Sequence, residues 1–214
     1  MRSIAVTPSG ALSPGPLSAG AVAIGGFTGV LGGLAVALGH TLAELPYVLL
    51  LVKSVESARR FVERWRLPLN VVVGAFLVFF AVGLVEAAWS AWHGSLGFAA
   101  PRIASLYSAV GYGAVLTLFN PYFLAWWVTV GYPLVNDSSR KGYRGVAVMY
   151  LSHVWMDYVW LGLLSWSGGV SRLLGYRAYG VLLAVIACVL AYFAARILIE
   201  AFKLYKRRVV GGGS

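Results

Sequence analysis

Cysteine and charge are both scarce in this 214-residue sequence, and each scarcity excludes a class of protein. Cys188 is the single cysteine, so the chain can form neither an internal disulfide nor a dithiol redox pair. Charged residues make up 11% of the chain, against about 25% in an ordinary soluble domain, whereas 60% of the residues are hydrophobic. So few charges cannot cover that much apolar surface in water, which excludes a soluble enzyme and predicts an integral membrane protein.

Motifs of hydrolases and nucleic-acid-binding proteins are also lacking. The sequence contains no Gly-x-Ser-x-Gly, no His-Glu-x-x-His and no zinc-finger spacing. A membrane-embedded metal-dependent hydrolase stays open as a minor alternative, because histidines and acids do occur within apolar segments. The net charge of +10 is better explained by membrane topology than by nucleic acid, since Lys and Arg collect in cytoplasmic loops.

Six apolar segments are long enough to cross a bilayer, which needs about 20 residues each. They cover approximately residues 4–25, 33–53, 67–90, 103–132, 145–167 and 177–201. If successive connections lie on alternate sides of the membrane, thirteen of the seventeen Lys and Arg residues are on one side and three are on the other. The sequence therefore predicts an all-α protein of six transmembrane helices in the plasma membrane, with both termini cytoplasmic.

The connections suggest two halves of three helices each. Residues 1–91 are predicted to form a first three-helix repeat with a charged cytoplasmic loop at 53–66, and residues 92–210 a second repeat with a basic tail. Residues 211–214 (Gly-Gly-Gly-Ser) are typical of an appended expression linker. Glycine-rich stretches at 25–33 and 168–169 are predicted to be turns.

Similar features recur in the two halves. The first segment contains Pro14-Gly15-Pro16 and the fourth contains Asn120-Pro121, whereas the second and fifth each contain a His followed four residues later by an acid (His40 and Glu44, His153 and Asp157). Three spans per half give the halves opposite orientations in the membrane. The pattern predicts two inverted repeats whose first helices are broken at proline.

A broken helix in a membrane exposes backbone groups near the midplane, where transporters bind substrate or ions. The positive helix ends after Pro16 and Pro121 suit a carboxylate, and a His and an acid at i and i+4 share one helix face. An acid within a span is costly and marks a functional candidate. The predicted substrate- or ion-binding residues are Pro14, Gly15, Pro16, His40, Glu44, Asn120, Pro121, His153 and Asp157.

These residues also carry a family resemblance. Pro14-Gly15-Pro16, then Gly29, Gly33 and Gly39 and an acid at position 44, resembles the N-terminal half of the lysine exporter (LysE/RhtB-type) translocators, and Asn120-Pro121 resembles their Asn-Pro motif. The family has Asp where this chain has Glu44, and Asn or Asp where it has Leu17. The resemblance covers roughly residues 5–165 and implies a six-span inverted-repeat exporter of amino acids or similar metabolites that exchanges them for protons.

We therefore expect a secondary transporter that exports small amino-acid-like molecules by alternating access, without a cofactor and without enzymatic activity. Its expected partners are the small-molecule substrate and the lipid bilayer, with no nucleic acid and with homo-oligomerisation left open. The alternative is a divalent metal-ion exporter that uses His40, Glu44, His153 and Asp157 as ligands.

Overall fold

A computed structural model describes residues Pro8, Gly10, 15–94 and 105–211 of the chain. Regular structure in these residues is entirely α-helical. The helices of residues 15–94 and 105–211 are α1 (Pro16–Thr28), α2 (Val30–Arg64), α3 (Arg66–Trp92), α4 (Leu106–Leu118), α5 (Pro121–Thr129), α6 (Tyr132–Ser139), α7 (Gly142–Leu173) and α8 (Tyr176–Gly211).

Three segments are long and apolar enough to cross a bilayer within the described ranges. They are Val30–Ser54 of α2, Arg66–Trp92 of α3 and Tyr176–Arg207 of α8, with mean hydropathies of 1.7, 2.5 and 2.5. Helices α1 and α4 are apolar but shorter. The all-α membrane architecture agrees with the sequence-based prediction, whereas the number of six spans stays a prediction.

Two helices begin at a proline where the chain departs from helical geometry. Gly15 is extended (φ −144°, ψ 178°) directly before α1, and Asn120 is extended (φ −88°, ψ 102°) between α4 and α5. Pro16 and Pro121 occupy the first helical position, where the missing backbone N–H would have no helical partner. Pro14 lies outside the described residues.

Close packing of helix backbones holds α1, α2, α4 and α7 together. A Cβ at Gly39 on α2 would collide with the carbonyl oxygen of Val110 on α4, and one at Gly113 on α4 would collide with that of Val36 on α2. Small residues of this kind let membrane helices approach each other closely.

The C-terminal end of α1 is fixed by polar side chains from α7 and α8. Arg172 Nη1 donates to the Gly26 carbonyl oxygen (2.7 Å), Ser165 Oγ donates to that of Gly29 (2.7 Å), and the Tyr179 hydroxyl donates to that of Ala23 (3.0 Å). These bonds tie the end of α1 to α7 and α8, and the Arg172 bond satisfies a carbonyl oxygen of the last turn, which has no partner within α1. They hold α1 with its N-terminal end in the middle of the bundle.

Helices α3 and α8 pack along each other and form a second part of the core. Ala81, Leu84 and Ala88 of α3 lie in one apolar cluster with Leu183 and Leu190 of α8. Arg66 and Glu200 add an ion pair between the two helices, with 3.6 Å between Nη2 and Oε1.

Two predicted connections are wrong in their secondary structure. Segment 53–66 is mostly helical rather than a loop, because it contains no Gly or Pro and its charges pair along the helix. Two of its residues are non-helical, Ser54 (φ −136°, ψ 17°) and Trp65 between α2 and α3 (φ −100°, ψ 16°). Arg59 Nε donates to Glu63 Oε1 at 2.8 Å.

The predicted turn at Gly168-Gly169 is the other error, since both residues are helical. A Cβ at Gly168 would collide with the Val22 carbonyl oxygen, so this glycine serves the contact between α7 and α1. The chain turns instead at Gly175, whose φ of +119° favours glycine. Gly211 is the last residue of α8, and 212–214 of the predicted linker lie outside the described residues.

Candidate functional site

The two His-and-acid pairs meet in the interior of the bundle. Helix α2 contributes His40 and Glu44, and helix α7 contributes His153 and Asp157. Each of the four residues exposes at most 6% of its surface, and Glu44 exposes 1%. A spacing of four residues places each His beside its acid on one helix face, and the packing of α2 against α7 turns both faces toward each other. We call these four residues the His–acid cluster.

Each imidazole of the His–acid cluster has its Nε2 atom within 4 Å of both carboxylates. Glu44 Oε1 is 3.3 Å from His40 Nε2 and 3.5 Å from His153 Nε2. Asp157 Oδ2 is 3.9 Å from His40 Nε2 and 3.7 Å from His153 Nε2. Opposite charges at these distances offset the high cost of burying an ionised group, so the cluster acts as one electrostatic unit.

Thr117 on α4 fixes the orientation of His40. The Thr117 hydroxyl donates its proton to the Gly113 carbonyl oxygen (2.7 Å), so toward His40 Nδ1 (2.8 Å) it acts as the acceptor. This assigns a proton to Nδ1 and directs Nε2 of His40 at the two carboxylates. Thr117 is not among the predicted site residues, because a single hydroxyl in an apolar segment is a weak signal.

Trp127 on α5 is a second residue that the site prediction omitted. Its indole Nε1–H donates to Glu44 Oε1 at 2.9 Å, and the residue has no exposed surface. The sequence feature that could have identified Trp127 is its position shortly after Asn120-Pro121. A helix that begins in the middle of the bundle brings its first two turns close to the site.

Two buried carboxylate oxygens lack a hydrogen-bond partner in the part of the chain that the structure describes. They are Glu44 Oε2 and Asp157 Oδ2. An unsatisfied buried acceptor costs about 1–3 kcal/mol, and more when it is charged. Such atoms are therefore candidates for binding a proton, a cation or an ammonium group.

A cavity of about 70 Å³ adjoins the His–acid cluster. Gly15, Leu17 and Ser18 at the start of α1 line one side, and Asn120 lies at the break between α4 and α5. Its aromatic lining comes from Tyr122, Phe123, Trp126 and Trp127. The cavity thus joins carboxylates, a helix N-terminus and aromatic faces in one place.

The two helix starts differ in what they offer an anion. Asn120 Oδ1 accepts from the backbone N–H groups of Tyr122 (3.0 Å) and Phe123 (3.4 Å), so it caps α5 itself. At α1, by contrast, Gly15 supplies no side-chain cap among the described residues. Gly15 and Asn120 line the cavity, whereas Pro16 and Pro121 act as the first residues of their helices.

Three members of the His–acid cluster also have the spacing of metal ligands. One donor atom each from His40, Glu44 and Asp157 lies within 4.8 Å of the others. Imidazole nitrogens and carboxylate oxygens suit first-row divalent cations. The Nδ1–H of His40 already has its own acceptor in Thr117, as it does in metal-bound histidines.

An apolar helical bundle with broken helices and buried ionisable groups around a central cavity is the architecture of a membrane transporter. The comparison with protein families agrees: the chain matches the LysE type translocator family over residues 8–201, and it belongs to that family. Membership implies membrane transport of amino acids or similar small molecules. No curated protein matches the chain, and no solved structure does.

Proposed function

We propose that the protein is a proton-coupled secondary transporter that exports amino acids or similar small metabolites through the His–acid cluster. The observation that carries this proposal is the pair of buried carboxylates, Glu44 and Asp157, each with an oxygen that lacks a hydrogen-bond partner among the described residues and both lining one cavity. A buried acid in a membrane protein is retained at high cost, which favours a role in transport.

The cavity offers complementary partners to both ends of an amino acid. The ammonium group would bind between Glu44 Oε2 and Asp157 Oδ2, and the carboxylate would bind at the N-terminus of α1, beside Gly15 and Leu17. A helix N-terminus with exposed N–H groups favours an anion, and this one lacks a side-chain cap in the described part of the chain. At the N-terminus of α5, the Asn120 side chain already accepts from the backbone N–H of Tyr122. The N-terminus of α1 is therefore the better anion site.

Proton coupling follows from competition for the same oxygens. An ammonium group and a proton cannot both occupy the carboxylates of the His–acid cluster, because each binds the ionised form. Binding of the substrate from the cytoplasm would therefore release protons, and protonation from the outer side would release the substrate. The imidazoles of His40 and His153 supply a local store for the exchanged protons.

An inverted repeat would give the protein a route to alternating access. Helices α2 and α7 each carry a His and an acid four residues apart, and α1 and α5 each begin at a proline after an extended residue. Helices α3 and α8, the third members of the two halves, pack on each other. We propose that one half rocks against the other around the His–acid cluster, in a six-span protein of the plasma membrane whose termini are cytoplasmic.

Counterflow in proteoliposomes tests the proposal. Vesicles are loaded with unlabelled L-alanine, L-leucine or L-lysine, and entry of the same labelled amino acid is measured. We expect saturable exchange for wild type and its loss in Glu44→Gln and Asp157→Asn. Glu86→Gln is the matched control, because Glu86 is an exposed acid on α3. Full exchange in both cluster variants would contradict the proposal.

Export of a divalent cation is the second candidate function. The donor spacing of His40, Glu44 and Asp157 favours it, and the lack of thiolate ligands restricts it to metals that accept nitrogen and oxygen. The same vesicles loaded with Mn²⁺, Co²⁺ or Zn²⁺ separate the two. Exchange of a metal without exchange of any amino acid would establish the second candidate in place of the first.

A further inference from the structure

The buried indole of Trp127 makes the two oxygens of Glu44 unequal. Oε1 has three nitrogen neighbours: Trp127 Nε1 at 2.9 Å, His40 Nε2 at 3.3 Å and His153 Nε2 at 3.5 Å. Oε2 has no hydrogen-bond partner among the described residues. A carboxylate fixed on one oxygen presents the other in a defined direction.

The indole itself is held from several sides. The Trp127 ring packs edge-on against His153 (centroids 4.9 Å apart, 64° between planes) and against Trp126 (5.2 Å, 88°). Trp127 has no exposed surface, so the ring has little space in which to turn. Its N–H therefore stays directed at Glu44 as long as α5 keeps its place.

A second hydrogen bond holds α5 on α2 near the first. The Tyr47 hydroxyl donates to the carbonyl oxygen of Leu124 at 2.9 Å. Tyr47 lies three residues after Glu44, and Leu124 lies three residues before Trp127, so the two bonds join the helices in antiparallel order. The Tyr47 hydrogen bond holds α5 against α2 without involving Glu44. The hydrogen bond from Trp127 is therefore not needed to hold the two helices together, and its effect falls on the Glu44 carboxylate.

We infer that Trp127 is a positioning residue, which fixes Glu44 through Oε1 so that Oε2 accepts the cationic group of the transported molecule. The inference rests on the proposed function, because it assigns a geometry to the acid that the proposal places in the binding site. A bond between an N–H donor and an ionised acceptor contributes more than a neutral one, so its loss has a measurable effect on binding.

Substitution of the indole by a phenyl ring tests this role. Trp127→Phe keeps an aromatic ring and removes the N–H. Trp160→Phe is the matched control, because the buried Nε1 of Trp160 has no hydrogen-bond partner within the described residues. In counterflow with L-alanine, L-leucine or L-lysine, whichever wild type exchanges, we expect Trp127→Phe to raise KM roughly tenfold and to change the maximal rate less than about twofold.

The same experiment overturns the inference if Trp127→Phe and Trp160→Phe have equal KM values. A purely structural role for Trp127 would instead lower the amount of folded protein and the maximal rate, with KM unchanged. Failure of the proposed function has a different signature, since exchange would then survive Glu44→Gln.

Fluorine NMR gives a second test, which does not require the Trp127 variant to transport. With 5-fluorotryptophan in all eight Trp positions, Glu44→Gln is expected to shift one resonance that Glu86→Gln leaves unchanged, and addition of the exchanged amino acid is expected to shift the same resonance. Trp127→Phe assigns it by removing it. No resonance responding to Glu44→Gln, or a responding resonance that persists in Trp127→Phe, would overturn the inference.

Discussion

His40 and Thr117 lie 77 positions apart in the chain, and His40 Nδ1 is 2.8 Å from Thr117 Oγ1. Because the threonine hydroxyl donates to the Gly113 carbonyl oxygen, it accepts the proton of Nδ1. Helix α4, which carries no acid or histidine of the cluster, therefore determines which ring nitrogen of His40 faces Glu44 and Asp157. The broken fourth segment contacts the cluster through both of its parts, Thr117 on α4 and Trp127 on α5.

Removal of the Thr117 hydroxyl is expected to impair transport while leaving the fold intact. Thr117→Val keeps the shape of the side chain and leaves His40 Nδ1–H without its acceptor, which costs about 1–3 kcal/mol. We expect counterflow to fall roughly tenfold, as measured by initial rates at a substrate concentration below KM.

Thr28→Val is the control for that experiment. The Thr28 hydroxyl donates to the Ile24 carbonyl oxygen (2.9 Å) in the same i−4 arrangement, and within the described part of the chain it forms no hydrogen bond with a histidine. Equal rates for the two variants would show that the orientation of His40 does not matter for transport.

The backbone contact between α2 and α4 predicts a difference between two glycines of one helix. Gly113→Ala would place a methyl group against the Val36 carbonyl oxygen and force the helices apart, at a cost of about 1–3 kcal/mol. Gly111→Ala adds a methyl group where no atom lies within 4 Å. We expect a lower Tm in detergent for Gly113→Ala alone, and equal Tm values would refute the close packing.

The orientation in the membrane is testable with single cysteines in a Cys188→Ala background. With cytoplasmic termini, Ser57→Cys on the charged extension of α2 is expected to react with a membrane-impermeant maleimide only after the cells are opened. Leu174→Cys, at the exposed turn between α7 and α8, is expected to react in intact cells. Labelling of both from the same side would rule out the six-span topology.

The sequence was sufficient to identify the His–acid cluster because its spacing is local. His40 and Glu44, and likewise His153 and Asp157, are four residues apart, and an acid in an apolar helix requires a partner. The repeated pattern also suggested which helices meet. The distances between these helices depend on close glycine contacts, such as that of Gly39 with Val110, which no local sequence pattern reveals.

Contacts that depend on the exact register of a broken helix were beyond sequence reasoning. The angle between α4 and α5 at Asn120 decides that Trp127 and not Trp126 donates to Glu44. The cap that Asn120 forms on α5 was not predicted, although an Asn followed by a Pro is a common pattern at the start of a helix. Gly168 was mistaken for a turn since a glycine that ends a helix and one that permits close packing look alike in sequence.

Direct binding to the purified protein tests the central claim, that the two acids of the His–acid cluster hold the transported molecule. Equilibrium binding of labelled L-alanine, L-leucine or L-lysine in detergent separates recognition from movement and from proton coupling. We predict that Glu44→Gln and Asp157→Asn each raise the Kd at least tenfold, with Glu86→Gln equal to wild type. Wild-type affinity in both cluster variants would contradict the account and make the four buried groups structural.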